Sequence, residues 1–375
     1  MIGDATVGRA VRAVAGFGLP CELNDPVRVD EGTWPECKSR LVAERLTGLA
    51  VAAAESGKLT ITDDQFAELT EAHREVMLWA LDLERTLLEL AEAFDDAKIE
   101  FVVLKGPALA HSSYPDPSWR PFMDIDLLVR TRDWRRSCAL LDELGLRRRL
   151  VELRPGFDER FGKAACHVNA KQQEVDLHRT LALGPFGLWI DTDELFGKTS
   201  SFKLENETLK CLDDSALLVH ACVHASLGMR RAFLIAFRDV AQTLESGSLD
   251  WNLVADWSRR WKLGVVLQDA LERASALVGV AWPLELKVPL QADPDGSVVR
   301  SLHSYTTERR LRGGPSLSTL RAIRGIGGKV AYVRALLFPS QAFLAARAGQ
   351  QRASYLRRLT VPLRWVLVGR QRRAP

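Results

Sequence analysis

The sequence predicts an α+β fold, a mixed sheet with packed helices that is flanked by N-terminal and C-terminal helical regions. Two observations lead to this prediction. Short runs of strand-forming residues alternate with short helical segments in the middle of the chain, and long stretches with apolar residues at helical spacing lie on both sides. We therefore expect a helical N-terminal region at residues 1–97, a core at 98–200, and a helical C-terminal region with a basic tail at 201–375.

Length and composition are those of a globular protein with material for two or three domains. The chain has 375 residues, 47% of them hydrophobic and 26% charged, and its net charge of +3 is too small to argue for nucleic acid. Six scattered cysteines without CxxC spacing favour a reducing setting, and a cytoplasmic location is expected. The first twenty residues do not have the pattern of a signal peptide, and no run reaches the roughly 18 apolar residues of a transmembrane segment.

The N-terminal region carries a helical pattern from Cys37 to Ala97. Its apolar residues recur at steps of three, four or seven after the start signal Thr62-Asp63-Asp64, which predicts an amphipathic helical pair or bundle. In the core, the elements predicted in order are a strand at Glu100–Leu104, a helix at Pro107–Ser113, a strand at Asp124–Val129, a helix at Asp133–Leu144 and a hairpin at Cys166–His178.

The segment Lys105-Gly106-Pro107 takes the first predicted strand into a helix, with proline at the first helical position. The free N–H groups of a helix N-terminus bind phosphate, and Lys105 adds a positive charge beside them. Arg120 can face phosphate oxygens as well, or it can pair with Asp116 or Asp124. A plain strand-to-helix turn is the alternative.

Asp124 and Asp126 are the strongest chemical signal in the chain. Alternate residues of a strand point to one face, so both carboxylates should project together and repel each other unless a cation lies between them. Carboxylate oxygens suit Mg²⁺ or Mn²⁺, although a pair of salt bridges would also neutralise them. Asp176 is a third candidate, since it shares a strand face with Glu174 and His178 and would join the others if the two strands were neighbours.

These motifs resemble the nucleotidyltransferase superfamily, which has the polymerase-β-like fold, and within it the poorly characterised bacterial "nucleotidyltransferase family" branch. The resemblance covers residues 85–280 and rests on Leu104-Lys105-Gly106, Tyr114 followed by Arg120, Asp124–Val129, and Val175–His178. It implies a nucleotidyltransferase-like mixed sheet and a reaction in which a nucleoside monophosphate passes from an NTP to a hydroxyl acceptor, with release of pyrophosphate.

The resemblance also implies roles for individual residues. Asp124, Asp126 and Asp176 would be catalytic and would bind two divalent metals, Mg²⁺ or Mn²⁺, with Asp176 best placed to assist the attacking hydroxyl. The NTP, expected to be ATP, would be bound by Lys105, Gly106, Arg120, His178 and His224. The superfamily usually has Gly-Ser or Gly-Gly where this chain has Lys105-Gly106, and this departure bears on the substrate more than on the fold.

His220 and His224 are four residues apart, on one face of a predicted helix. Two histidines at this spacing can share a zinc ion, but buried histidines bonded to polar partners are favoured over that interpretation. A third interpretation has His224 or Arg238 lining the nucleotide pocket from the helical C-terminal region.

The basic amphipathic tail from Val330 to Arg373 can bind a protein partner, an acidic or membrane surface, or RNA, although packing on its own protein is favoured. The predicted function is metal-dependent nucleotidyl transfer to an unknown small-molecule, protein or RNA hydroxyl. The alternative is a catalytically inactive scaffold of the same fold that binds nucleotide or a partner protein.

Overall fold

The structure is a computed structural model that describes residues 2–21, 25–228, 232–245, 248–281, 290, 296–306 and 314–348. Residues 349–375, which hold most of the predicted basic tail, lie outside the described residues. In the described part of the chain, no helix combines the length and the apolar character needed to cross a bilayer.

The N-terminal region is helical, as predicted. Its elements are α1 (Ile2–Gly16), β1 (Val27–Arg28), α2 (Trp34–Ala43), α3 (Thr47–Glu55), β2 (Leu59–Thr60) and α4 (Asp63–Asp96). Helix α4 begins at the predicted signal, because Thr62 and Gln65 form a reciprocal capping box in which each side chain accepts a hydrogen bond from the other residue's backbone N–H.

A seven-stranded mixed sheet forms the core. Its strands are β3 (Phe101–Leu104), β4 (Asp124–Val129), β5 (Arg147–Arg148), β6 (Ala164–Val168), β7 (Glu174–His178), β8 (Thr199–Leu204) and β9 (Glu207–Leu212). They lie in the order β5-β6-β7-β4-β3-β9-β8, with β4 parallel to β7 and antiparallel to β3. The core helices are α5 (Lys105–Ser112), α6 (Trp134–Glu143), α7 (Phe157–Phe161), α8 (Gly184–Trp189) and α9 (Thr192–Phe196).

The two faces of the sheet have different chemistry, which follows from the alternation of side chains along β4 and β7. Ile125, Leu127 and Val129 of β4 are buried with Leu83 and Leu87 of α4 in one hydrophobic cluster. The intervening residues of β4 point to the opposite face. This second face packs against the helical C-terminal region through a larger cluster.

From Asp214 onward, the described residues of the C-terminal region form helices and the loops between them. Its helices are α10 (Asp214–Leu227), α11 (Leu234–Leu244), α12 (Trp251–Arg260), α13 (Gly264–Val278), α14 (Gly296–Thr306), α15 (Gly314–Ala322), α16 (Ile326–Leu337) and α17 (Gln341–Ala348). Helices α10 and α11 bring His224 and Asp239 to the second face of the sheet.

The predicted α+β class, with a mixed sheet between helical regions, is confirmed. Strand β4 has the predicted bounds, whereas α5 begins at Lys105, two residues before its predicted start, so that Pro107 is its third residue. The hairpin of β8 and β9 was not predicted. Residue 200, the expected end of the core, falls within β8, and the sheet continues to Leu212.

Candidate active site

Three carboxylates lie on the second face of the sheet, at the beginning of β4 and in the middle of β7. Asp126 pairs in register with Asp176 across the parallel strands, and Asp124 precedes Asp126 by two residues on the same face. We call Asp124, Asp126 and Asp176 the acidic face. Their strands are neighbours in space although 44 residues or more separate them in sequence.

Asp126 is the centre of this arrangement and is fully buried. Its Oδ1 lies 2.5 Å from Lys105 Nζ and 2.7 Å from His178 Nε2. Its Oδ2 is buried and has no hydrogen-bond partner in the described part of the chain. An unsatisfied buried carboxylate oxygen is costly, so this atom is the clearest sign that a ligand belongs here.

The donor atoms fit a divalent metal ion. One ligand atom each from Asp126, Asp176 and His178 lie within 4.8 Å of one another, the spacing of a possible metal site. Asp124 lies next to this group, and its side chain forms no hydrogen bond or ion pair with any described residue. Carboxylate oxygens are the ligands that Mg²⁺ and Mn²⁺ prefer, whereas the Nε2 of His178 is engaged with Asp126 Oδ1 at 2.7 Å.

The protonation states follow from burial and charge. Burial opposes ionisation of Asp126, but Lys105 and the hydrogen bond from His178 hold the pKa of this carboxyl well below its usual range. Burial would lower the pKa of Lys105, yet the carboxylates of Asp126 and Asp124 raise it. Burial and the negative charge of Asp126 raise the pKa of Asp124, which therefore is the member most in need of a cation.

The turn between β3 and α5 explains how Lys105 reaches Asp126. Leu104 pairs with Asp126 across the antiparallel strands, so Lys105 leaves the sheet beside that carboxylate. Lys105 has φ 49, a left-handed backbone that is unfavourable for residues other than glycine. The next position requires glycine, because a Cβ at Gly106 would lie 2.5 Å from the Cβ of Phe122.

A cavity of about 70 Å³ opens beside the acidic face, between the sheet and the helices. Its lining includes Arg45, Lys105, Gly106, Arg120, Asp124 and His224. Pockets that enclose drug-sized ligands hold about 300 to 1,000 Å³. A cavity of this size, with cationic walls next to carboxylates, suits a phosphate group better than a whole nucleotide.

Arg45 lines this cavity, although the sequence did not indicate it as a site residue. It follows α2 in a left-handed conformation with φ 61, and its guanidinium lies 4.6 Å from the centre of the Phe233 ring. The preceding residue anchors this turn to α11, because Glu44 Oε2 accepts a 2.7 Å hydrogen bond from the backbone N–H of Leu234. The Arg45 guanidinium pairs with no acid in the described part of the chain.

Arg120 also lines the cavity, but its charge is already paired. It forms a bidentate ion pair with Asp239 of α11, and it donates a further hydrogen bond to the carbonyl of Pro121. Neither Asp116 nor Asp124, the two acids near it in sequence, is its partner. The sequence analysis considered Arg238, the residue before Asp239, but it did not link Asp239 to Arg120.

The predicted histidines take different positions. His178 donates its Nε2–H to Asp126 and so orients that carboxylate, while its Nδ1 lies 3.3 Å from the carbonyl oxygen of Thr180. His220 and His224 lie on α10, and burial, reinforced by the charge of Lys105, holds both pKa values well below the usual range. His220 Nε2 and His224 Nδ1 are buried and have no hydrogen-bond partner among the described residues.

Lys163 is a second residue near the acidic face that the sequence did not indicate. It directly precedes β6, whose first residue Ala164 pairs with His178. Burial, together with the charge of Lys105, lowers its pKa to about 8, whereas the carboxylates of Asp126 and Asp176 oppose that shift. Nothing in the local sequence marks Lys163, because β6 is brought to the site only by pairing with β7.

The mixed sheet between helical regions is that of a nucleotidyltransferase-like protein. A family model described as an uncharacterised nucleotidyltransferase matches residues 30–279, two thirds of the chain, and the chain belongs to this family. No curated protein matches it. Among solved structures the chain is similar to an antigenic nucleotidyltransferase-like protein from Paracoccidioides brasiliensis, with 16% identity, a TM-score of 0.29, and coverage of 50% of this chain and 92% of that chain.

Proposed function

We propose that the protein is a metal-dependent nucleotidyltransferase that moves a nucleoside monophosphate from an NTP, ATP being the first choice, to a hydroxyl acceptor and releases pyrophosphate. One observation carries this proposal. Asp126 and Asp176 are in register on neighbouring parallel strands, with Asp124 on the same face and a buried oxygen of Asp126 left without a partner. Structural carboxylates in a buried sheet would be neutralised and fully hydrogen-bonded.

The acidic face would hold the divalent ion, Mg²⁺ or Mn²⁺, through Asp124, Asp126 and Asp176. When bound, such an ion neutralises charge on the phosphates and lowers the pKa of the attacking hydroxyl. Asp126 is fully buried, whereas Asp176 is partly exposed, so Asp176 is better placed to meet an acceptor. Its carboxylate accepts the hydroxyl proton as the acceptor oxygen bonds to the α-phosphorus and the bond from that phosphorus to the pyrophosphate oxygen breaks.

The cavity would hold part of the triphosphate. Arg45 supplies a guanidinium that forms no ion pair with a described acid, and Lys105 supplies an ammonium that keeps two N–H donors free while the third is bound to Asp126. His224 lies on the same wall with its Nδ1 unpartnered. Phosphate oxygens would accept hydrogen bonds from these groups. The base and ribose of the nucleotide would then lie outside the cavity.

The experiment is a label-transfer screen. The protein is incubated with each α-³²P-labelled NTP, Mg²⁺ or Mn²⁺ and a cell extract, and the molecule that gains the label is identified. We expect transfer that EDTA abolishes, loss of transfer in Asp126→Asn, and full transfer in Asp142→Asn, which removes an exposed acid distant in sequence from the site. Full transfer in a folded Asp126→Asn variant would exclude the proposed reaction.

A scaffold that binds nucleotide without turnover is the second candidate, and the ion pair between Lys105 and Asp126 favours it. An ammonium held against the central carboxylate is a substitute for a metal ion in a site that no longer needs one. Calorimetry with ATP and Mg²⁺, followed by an assay for released pyrophosphate in the presence of extract, separates the candidates. Binding without release supports the scaffold, whereas release supports the transferase.

A further inference from the structure

We infer that the Lys105 ammonium takes the place of one cation in the acidic face, so that the site binds a single divalent ion beside a fixed lysine. The inference rests on the proposed metal-dependent function and departs from the two ions that the family resemblance implies. It concerns the contacts of Asp126, which is the central carboxylate of the site.

The lone pairs of Asp126 limit what this carboxylate can bind. Each carboxylate oxygen has about two acceptor sites. Both sites of Oδ1 are used, by Lys105 Nζ at 2.5 Å and His178 Nε2 at 2.7 Å, whereas Oδ2 has no partner among the described residues. Asp126 therefore offers one free oxygen, and it can coordinate one ion while Lys105 stays in place.

Two divalent ions in one site normally lie about 3.5–4 Å apart, and their mutual repulsion is offset by a carboxylate that gives an oxygen to each. Asp126 is the only member of the acidic face that is in register with Asp176 on one side and with Leu104, next to Lys105, on the other. With its Oδ1 occupied, it cannot bridge two ions. The position of a second ion is instead taken by the singly charged ammonium of Lys105.

Lys105 is held in this position by the fold rather than by chance orientation of a surface side chain. Its side chain is 12% exposed, its backbone has φ 49, and Gly106 is pressed against Phe122. The ion pair with Asp126 holds the ammonium in place, against the opposing effect of burial on its charge. The unfavourable backbone directs the lysine towards Asp126 at the point where the strand ends.

A fixed ammonium changes what the site needs from solution. It neutralises Asp126 without a metal, and two of its N–H donors remain for a phosphate oxygen in the adjoining cavity. Asp176 and the free Oδ2 of Asp126 would then remain to hold one ion, with Asp124 beside them on the same face of the sheet. Lys163, the other lysine near the site, has no hydrogen bond or ion pair to Asp126 and so is a matched comparison.

The test counts Mn²⁺ ions bound per chain, by electron paramagnetic resonance with Mn²⁺ as the only added ligand. We expect one ion for the wild-type protein and for Lys163→Met, and two for Lys105→Met, with a spin-coupled signal in that variant. Two ions in the wild-type protein, or one in a folded Lys105→Met, would overturn the role of Lys105 and leave the proposed function standing.

No Mn²⁺ binding by the wild-type protein at millimolar concentrations would instead contradict the proposed metal-dependent function itself, and the inference with it. Circular dichroism checks that Lys105→Met is folded, because removing the lysine leaves the buried carboxylate of Asp126 without its counter-charge, which can unfold the protein. If it does unfold, the wild-type and Lys163→Met counts decide the matter: one ion supports the inference and two overturn it.

Discussion

Arg120 forms a buried, bidentate ion pair with Asp239, in which Nε lies 2.7 Å from Oδ1 and Nη2 lies 2.8 Å from Oδ2. Tyr114 donates its hydroxyl to the same Oδ1 at 2.8 Å. Arg120 and Tyr114 lie between α5 and β4, whereas Asp239 is on α11. The pair therefore joins the sheet to the helical C-terminal region at the wall of the candidate site.

We expect Asp239→Asn to lower the free energy of unfolding by about 3–5 kcal/mol, because it leaves the Arg120 guanidinium buried without its counter-charge. The double variant Arg120→Met/Asp239→Leu should recover most of that loss, since it removes both charges. Urea titrations followed by fluorescence measure the free energy of unfolding of the single and the double variant. Glu71→Gln, which breaks an exposed pair with Arg74, is the control and should leave the free energy of unfolding nearly unchanged. An equally small effect of Asp239→Asn would contradict a structural role for the pair.

Arg45→Ala should weaken binding of the nucleotide about tenfold to a hundredfold without unfolding the protein. A hydrogen bond to a charged group contributes about 1.5–3 kcal/mol, and this guanidinium forms no ion pair with an acid in the described part of the chain, where Asp124 and Asp239 act on it only through their charge. Isothermal calorimetry with the NTP identified by label transfer measures the dissociation constant. Arg45→Lys should retain part of the affinity, and Arg28→Ala, at an exposed arginine of β1, should retain all of it. Unchanged affinity in Arg45→Ala would remove Arg45 from the site.

The parts of the site that the sequence predicted are those that local patterns determine. Apolar residues alternate with Asp124 and Asp126, and this alternation alone fixes the strand, its bounds and the shared face of the two carboxylates. The hairpin that carries Asp176 follows from two apolar runs around a polar turn. The sequence did not predict that β4 and β7 are neighbours, because strand order is a property of the whole sheet.

The parts that the sequence did not predict depend on contacts between distant segments. Arg45 and Lys163 carry no motif, and each reaches the acidic face through tertiary packing. The acids considered for Arg120 were close in sequence, whereas its partner Asp239 is 119 residues away. The hairpin of β8 and β9 escaped prediction since its alternation is mixed with polar residues on a half-exposed edge.

Gly106→Ala tests whether the turn before α5 depends on close approach. The new Cβ would lie 2.5 Å from Phe122 Cβ and 2.8 Å from its Cγ, so the segment must shift, at a cost of about 1–3 kcal/mol. Thermal unfolding measures this loss. Gly8→Ala, in helix α1 with no atom within 4 Å of the added carbon, is the matched control and should leave stability unchanged or raise it by up to about 1 kcal/mol. Equal stability of the two variants would show that the turn adapts freely.

Lys163 makes the stability of the protein depend on pH above neutrality. Burial lowers its pKa from 10.5 to about 8, so between these values the unfolded chain holds a proton that the folded protein has released. Stability must therefore rise with pH across this window, with a slope of at most about 1.4 kcal/mol per pH unit from this group.

Lys163→Met removes the group, so the variant should be more stable than the wild-type protein at pH 7, with an advantage that shrinks as the pH rises from 8 to 10. Urea titrations at several pH values measure the difference in unfolding free energy between the two proteins, which cancels the contributions of all other titrating groups. Lys203→Met, at an exposed position of β8, should differ from the wild-type protein by a constant amount over the same range. A constant difference for Lys163→Met as well would mean that this lysine is as well solvated as Lys203, and that it does not lie in the charged interior of the site.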